Sequence, residues 1–140
     1  MNRRKMFEPA ALPRMKRFRR ISATAAVAAV CVAPAADASQ TAVLKQRVKG
    51  YSAAYLGGQD GKAWKYLTRR CQMKIGRDTF AELVAGAHQL YGSAKLKGGV
   101  RVVAHHGKRA RVTYRFTRPA LNQIREPWAF QRGAWRVDDC

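Results

Sequence analysis

The stretch Trp128–Cys140, WAFQRGAWRVDDC, decides how this chain closes. Trp128 and Phe130 share one side of an alternation, Arg132-Gly133 supplies a turn, and Trp135 and Val137 alternate back, the period-two pattern of a half-buried hairpin. A terminal strand frays unless something fixes it. Because the chain ends on Cys140, the sequence predicts a covalent tie from that strand to an earlier segment.

Moving backward from the hairpin, Ala120–Pro127 reads as a crossing loop and Arg118-Pro119 as the end of a preceding strand. In that strand Ala110, Val112, Tyr114 and Phe116 alternate with Arg109, Arg111, Thr113 and Arg115. Across the His106-Gly107-Lys108 turn, Val100, Val102 and Ala104 alternate with Arg101, Val103 and His105. Before Lys95 the period changes to 3.6. Leu44, Val48, Tyr51 and Tyr55 form one stripe of an amphipathic helix, which Gly57-Gly58 stops. Asp60 reads as the cap of a shorter helix bearing Ala63, Trp64 and Leu67 and reaching about Arg69. A connector over Cys71–Gly76 leads to Thr79-Phe80-Ala81-Glu82, which has the form of a capping box. The third helix then carries Phe80, Leu83, Val84, Ala87 and Tyr91 and ends at Gly92. The expected fold is α+β, three N-terminal helices packed on a curved antiparallel sheet of about four strands.

The chain of 140 residues has room for one domain and carries a formal charge of +20, a balance that favours anionic partners. Residues 1–38 have the parts of a secretory signal: a basic segment Met15–Arg20, an Ala/Val-rich run Ile21–Val32 and the cleavage motif Ala36-Asp37-Ala38. Met15 is itself a credible start. The apolar run is shorter than the roughly 20 residues a membrane span needs and is followed by Pro34, so no retained transmembrane helix is expected. A lipid anchor on Cys31 would want a small residue before it, where Val30 stands. The leader holds eight Lys and Arg against two acids, which leaves +14 on a domain at 39–140. That domain retains only Cys71 and Cys140, an even pair in a compartment that permits disulfides, so one connectivity is available. Closing a loop of that length, about 70 residues, contributes about 4 kcal/mol in the chain-entropy model. The expected location is secreted or in the cell envelope.

The order of helices, then VRVVAHHGKRARVTYRF, then PWAFQRGAWRVDDC resembles the small secreted members of the nuclear transport factor 2-like superfamily, over about Gln40–Cys140. The strand pair ending in GKRARVTY and the closing G-x-W-R-V carry the likeness. It implies a cone-like fold that hosts both isomerase-like or dehydratase-like enzymes and binding modules without chemistry. Many relatives place a hairpin between the second and third helices. Only Cys71–Gly76 stands there in this chain, which implies a smaller sheet and a shallower pocket.

An enzyme of this class needs a positioned acid or base inside the cone. Of the six acids in 39–140, Asp60 and Glu82 are assigned to caps, Asp78 to a helix N-terminus, Asp138 and Asp139 to the neighbourhood of Cys140 and Glu126 to a loop, so no catalytic residue is expected. His105 and His106 flank a turn and, as strand neighbours, point to opposite faces, which disfavours a shared metal ion. His88 lies between the apolar and wet faces of its helix. No metal site and no cofactor is expected. Tyr51, Tyr55, Trp64 and Tyr114 are the candidate pocket residues, against the plainer reading that aromatics at this spacing are core. Arg101, Arg109, Arg111 and Arg115 are the candidate anion-binding row. Export, and the absence of aromatics between these arginines, disfavour nucleic acid as the partner. The sequence therefore favours a non-enzymatic domain that binds an anionic envelope polymer, lipid head groups or a protein partner through the arginine face. The alternative is a small-molecule binder or isomerase-like enzyme using the cone. A cavity holding an ionisable side chain would favour the second, a filled cavity the first.

Overall fold

The computed structural model describes residues 35–140. Helix α1 (Ala35–Leu56) is followed by α2 (Asp60–Trp64), α3 (Arg69–Ile75) and α4 (Arg77–Tyr91), then by strands β1 (Leu96–His106), β2 (Arg109–Phe116), β3 (Gln123–Gln131) and β4 (Ala134–Val137). One turn of 3-10 helix at Pro119–Leu121 precedes β3. The strands make a single antiparallel meander in the order β1-β2-β3-β4, so the α+β class is as expected. The segment 1–38, read above as a leader, lies outside the described residues except for its last four, which open α1. No helix among the described residues is long and apolar enough to cross a membrane.

The stripe on α1 does what its spacing predicts: Leu44 and Val48 are fully buried, and Tyr51 and Tyr55 are half-buried beside them. α1 also comes very close to the segment after α2, because a side chain at Gly50 would collide with the Tyr66 hydroxyl. The connector expected at Cys71–Gly76 is helical instead, as α3, so four helices precede the sheet among the described residues. Thr68 starts α3 by accepting a hydrogen bond from the Cys71 amide at 3.3 Å. Gly76, at φ 81°, separates α3 from α4, so α4 begins at Arg77 ahead of the expected box, and no side chain caps it. Asp60 is likewise not a cap. Gln59 holds that position, and Asp60 pairs with Arg77. Leu83, expected in the stripe of α4, is half exposed, while Phe80 and Val84 fill the core.

On β2 the alternation holds throughout, with Ala110, Val112, Tyr114 and Phe116 buried. The expected loop at Ala120–Pro127 is shorter than it looked, since β3 begins at Gln123. It begins with a bulge. Val112 faces Glu126 and Tyr114 faces Gln123, so Ile124 and Arg125 together oppose the single residue Thr113. Arg125 takes φ 57° there and donates its amide to Thr113 Oγ1 at 3.0 Å. The terminal hairpin turns at Arg132 (φ 51°) and Gly133 (φ 74°), and Trp128, Trp135 and Val137 are buried.

The chain end is held from four directions. The Thr68 amide donates to Val137 O at 2.9 Å and the Val137 amide to Tyr66 O at 2.8 Å, so the segment after α2 pairs with β4 in parallel at Leu67. Thr68 Oγ1 donates to Asp138 at 2.7 Å, and Arg70 grips the same aspartate through its carboxylate and its carbonyl. Cys71 and Cys140 are joined, with Cα atoms 5.5 Å apart and a sequence separation of 69. Cys140→Ser should lower unfolding stability by about 2 to 5 kcal/mol, the range for losing a native disulfide from a small domain. Denaturant titration measures the loss, and hydrogen exchange should show the amides of β4 opening first.

Candidate functional site

The bulge in β3 determines where Glu126 points. In a regular strand Gln123 and Glu126, three residues apart, would face opposite ways; the extra residue turns both inward. Glu126 is 6% exposed. Tyr114 donates to its Oε2 at 2.8 Å and the Trp128 indole nitrogen donates to the same oxygen at 2.7 Å. Oε1 is left without a hydrogen bond among the described residues.

These groups border a cleft of about 270 Å³ between α1 and the inner face of the sheet. Tyr51, Ser52 and Tyr55 enter from α1, Tyr114 and Phe116 from β2, Gln123 and Glu126 from β3, and Val137 and Asp139 from the chain end. Leu121 of the 3-10 turn adds an apolar wall. Ser52 is 5% exposed, and its hydroxyl is the buried side-chain polar atom among the described residues that finds no hydrogen-bond partner. It stands near enough to the Tyr114 hydroxyl to influence that group without reaching hydrogen-bond geometry. A second hollow of about 290 Å³ shares Ser52, Leu56 and Phe116 with the first and is bordered by Lys49 and Lys95.

Burial dominates the electrostatics of the cleft. It pushes the Glu126 carboxyl from its usual 4.5 up to about 7, with the Asp139 charge adding to the effect and the Tyr114 and Trp128 hydrogen bonds opposing it. Burial also raises the Tyr114 and Tyr51 hydroxyls, and the negative charge of Glu126 raises both further. Tyr55 moves up by burial alone. Near neutral pH the cleft thus holds one carboxyl divided between its two protonation states, surrounded by phenols that stay protonated.

Three of the four candidate pocket residues, Tyr51, Tyr55 and Tyr114, meet at this cleft. Trp64 does not. Its ring packs on Phe80 at 5.4 Å, with the Arg77 guanidinium 5.4 Å above it. The reading of Glu126 as a loop residue is overturned by its place in β3, and the sequence held a signal for it. Glu126 is two residues from Trp128, hence on the same strand face, and a buried indole N–H calls for an acceptor. His105 and His106 point to opposite faces as expected, but a bulge between Val102 and Ala104 turns His105 inward, 5.3 Å from the Trp135 ring, where the alternation of β1 placed it outward, and leaves His106 exposed. His88, between the two faces of its helix, donates through Nδ1 to the Leu56 carbonyl at 2.7 Å.

On the opposite face, the four candidate arginines are all exposed. β2 presents Arg109, Arg111, Thr113 and Arg115 outward, and Arg101 of β1 pairs with Thr113, filling the gap. The result is a row with a cation at each step of about 6.8 Å, two residues of extended strand. Lys97 lies directly across from Arg115, a like-charge pair that disfavours the sheet unless an anion lies over it. Near one end, Arg70, Arg109 and Arg111 border an open groove with Pro127 and the paired Asp138.

No family model matches the chain, and no curated protein and no solved structure matches it.

The raised Glu126 carboxyl has a definite consequence for stability. Its folded value lies above its unfolded one, so between about 4.5 and 7 the folded protein holds the extra proton, and stability from this group falls as pH rises through that window and levels off above it. From pH 5 to pH 8 the loss should be about 2 to 3 kcal/mol. Glu126→Gln keeps an acceptor for Tyr114 and Trp128 but has no proton to lose. Denaturant unfolding of both proteins at the two pH values should show this slope in the wild type only, with the remaining pH dependence shared.

Proposed function

We propose that this domain binds a small organic molecule in the cleft between α1 and the sheet and exchanges a proton with it through Glu126. The observation that carries the reading is Glu126 itself, a buried carboxyl held by one oxygen and poised near neutral pH at the wall of an open cleft. A general acid or base works best when its proton affinity matches the working pH, and burial is the usual means of bringing a glutamate there. The volume of about 270 Å³ suits a ligand of roughly ten non-hydrogen atoms, at about 30 Å³ of liquid space each. The resemblance of residues 40–140 to small nuclear transport factor 2-like proteins supports the same reading. Helices before a four-stranded meander, with a cleft between the two layers, is the order a cone of that class requires. The Cys71–Cys140 bond is compatible with an exported domain.

Small ketones with an exchangeable C–H beside the carbonyl test the proposal directly. Incubated in D2O with the wild-type protein, at least one should exchange that hydrogen faster than in buffer, and Glu126→Gln should slow the enzymic exchange by about 100-fold or more. Equal exchange by both proteins would remove Glu126 from the chemistry.

A second reading concerns the outer face, where the continuous arginine row favours an anionic surface of lipid head groups. Each arginine near such a surface contributes about 1 kcal/mol, so Arg111→Gln with Arg115→Gln should weaken binding to vesicles containing anionic phospholipid by about 2 kcal/mol, roughly 30-fold. Vesicle sedimentation at low and high salt measures it. Binding that is unchanged by the double substitution would reduce the row to solvated surface.

A further inference from the structure

Residues 39–140 carry twenty Lys and Arg against six Asp and Glu. The lining of the cleft reverses that balance, since it includes two of the six acids, Glu126 and Asp139, and none of the twenty bases. We propose that the ligand of this cleft is an organic cation, a small molecule whose protonated amine is held between Glu126 and Asp139 and against the rings of Tyr51 and Tyr55. The inference rests on the reading of the cleft as a small-molecule site and adds the charge of what it takes.

Three features converge on this chemistry. An anionic ligand would enter a space lined by two carboxyl groups that offers only hydroxyls and the Gln123 amide in return, with no cation to offset the repulsion. A protonated amine has three N–H donors, and the cleft presents three acceptors without other partners in place: Glu126 Oε1, the Asp139 carboxylate and the orphaned Ser52 hydroxyl. Tyr51 and Tyr55, with centroids 5.6 Å apart and planes inclined by 43°, form a two-sided aromatic corner of the kind that attracts ammonium groups through the ring quadrupole. The adjoining hollow, which shares Ser52, Leu56 and Phe116 with the cleft, is bordered by Lys49 and Lys95, so a cationic head is favoured toward Glu126 and the apolar body toward Phe116 and Leu56.

The titratable groups facing Glu126 are Tyr51 and Tyr55 from α1, Tyr114 from β2 and Asp139 from the chain end, and none is basic. The cation is therefore the only positive charge Glu126 meets. Binding would draw Glu126 to its carboxylate, and the proton held on Oε1 passes to solvent while the amine keeps its own, so the charge balances. Affinity should rise with pH across neutrality as that proton is shed, as long as the amine stays protonated.

Benzylamine, benzyl alcohol and benzoate, equal in body and different in head group, decide the matter by calorimetric titration of the disulfide-bonded domain. Benzylamine should bind at least ten-fold more tightly than benzyl alcohol at pH 8, and benzoate should not bind. Titration at pH 7 in two buffers of different ionisation enthalpy should reveal fractional proton release with benzylamine, absent in Glu126→Gln. Asp139→Asn, at an exposed position, should cut the preference for the amine by about three-fold or more without disturbing the fold. If the alcohol binds as tightly as the amine, or benzoate binds, the cationic assignment is overturned while the small-molecule reading stands. If none of the three binds, both fall.

Discussion

The pairing of the chain end with the segment from Tyr66 to Cys71 is the constraint on which the other features depend. Two backbone hydrogen bonds bring β4 against Leu67, Thr68 ties Asp138 to the start of α3, and Cys71 ties Cys140 to its first turn. β4 is only four residues long and would hold poorly by its pairing with β3 alone. Fixing it seals Trp135 and Val137 under α1, where Arg47 adds a hydrogen bond to the Trp135 carbonyl and Gln40 accepts from its indole nitrogen. The same tie carries Asp139 to the mouth of the cleft, so stability and site geometry share one cause.

Glu126 stands against this background as a group the fold holds at a cost. A buried carboxyl is tolerated only when hydrogen-bonded or protonated, and this one is partly both. Replacing Tyr114, Trp128 and Glu126 by an apolar set would remove the desolvation penalty altogether, since buried polar networks are weak contributors to net stability. A bulge with a non-glycine residue at φ 57° adds a further local penalty to the arrangement. The two penalties fall on neighbouring residues, Arg125 and Glu126, and the Glu126 side chain faces the cleft.

Much of the architecture was legible because hydrophobic period carries it. The stripe of α1, the alternation of β2 and the hairpin of Trp128 and Trp135 follow from spacing alone, and the two cysteines within residues 39–140 admit one pairing. What escaped was set by backbone detail that period does not encode. Pro127 argued against a strand, yet its side chain faces outward beside a bulge, where a missing N–H is tolerated. The bulge shifts the alternation by one residue, so Gln123 and Glu126 share a face that counting by twos assigns to opposite sides. Arg69–Ile75 concealed a helix because its cap, Thr68, lies in what read as the tail of the preceding one. Trp64 looked like a pocket residue for the opposite reason, since helical spacing gives burial but does not say which neighbour is met.

The separation of charge across the sheet follows from the same register. Along β2 each outward position carries Arg or Thr and each inward position carries an apolar residue or Tyr114, so the strand itself keeps positive charge on one face and phenol and carboxylate on the other. The intervening layer is Val112, Trp128 and their neighbours, with little water to screen across it. The arginine row lies across that layer from Glu126, while desolvation acts on the carboxyl at contact. Desolvation wins because the penalty acts on the carboxyl directly, whereas the guanidinium groups extend into solvent where their field is largely screened. A cation placed inside the cleft would not be screened in this way, so a single charge there would act on Glu126 more strongly than the whole outer row.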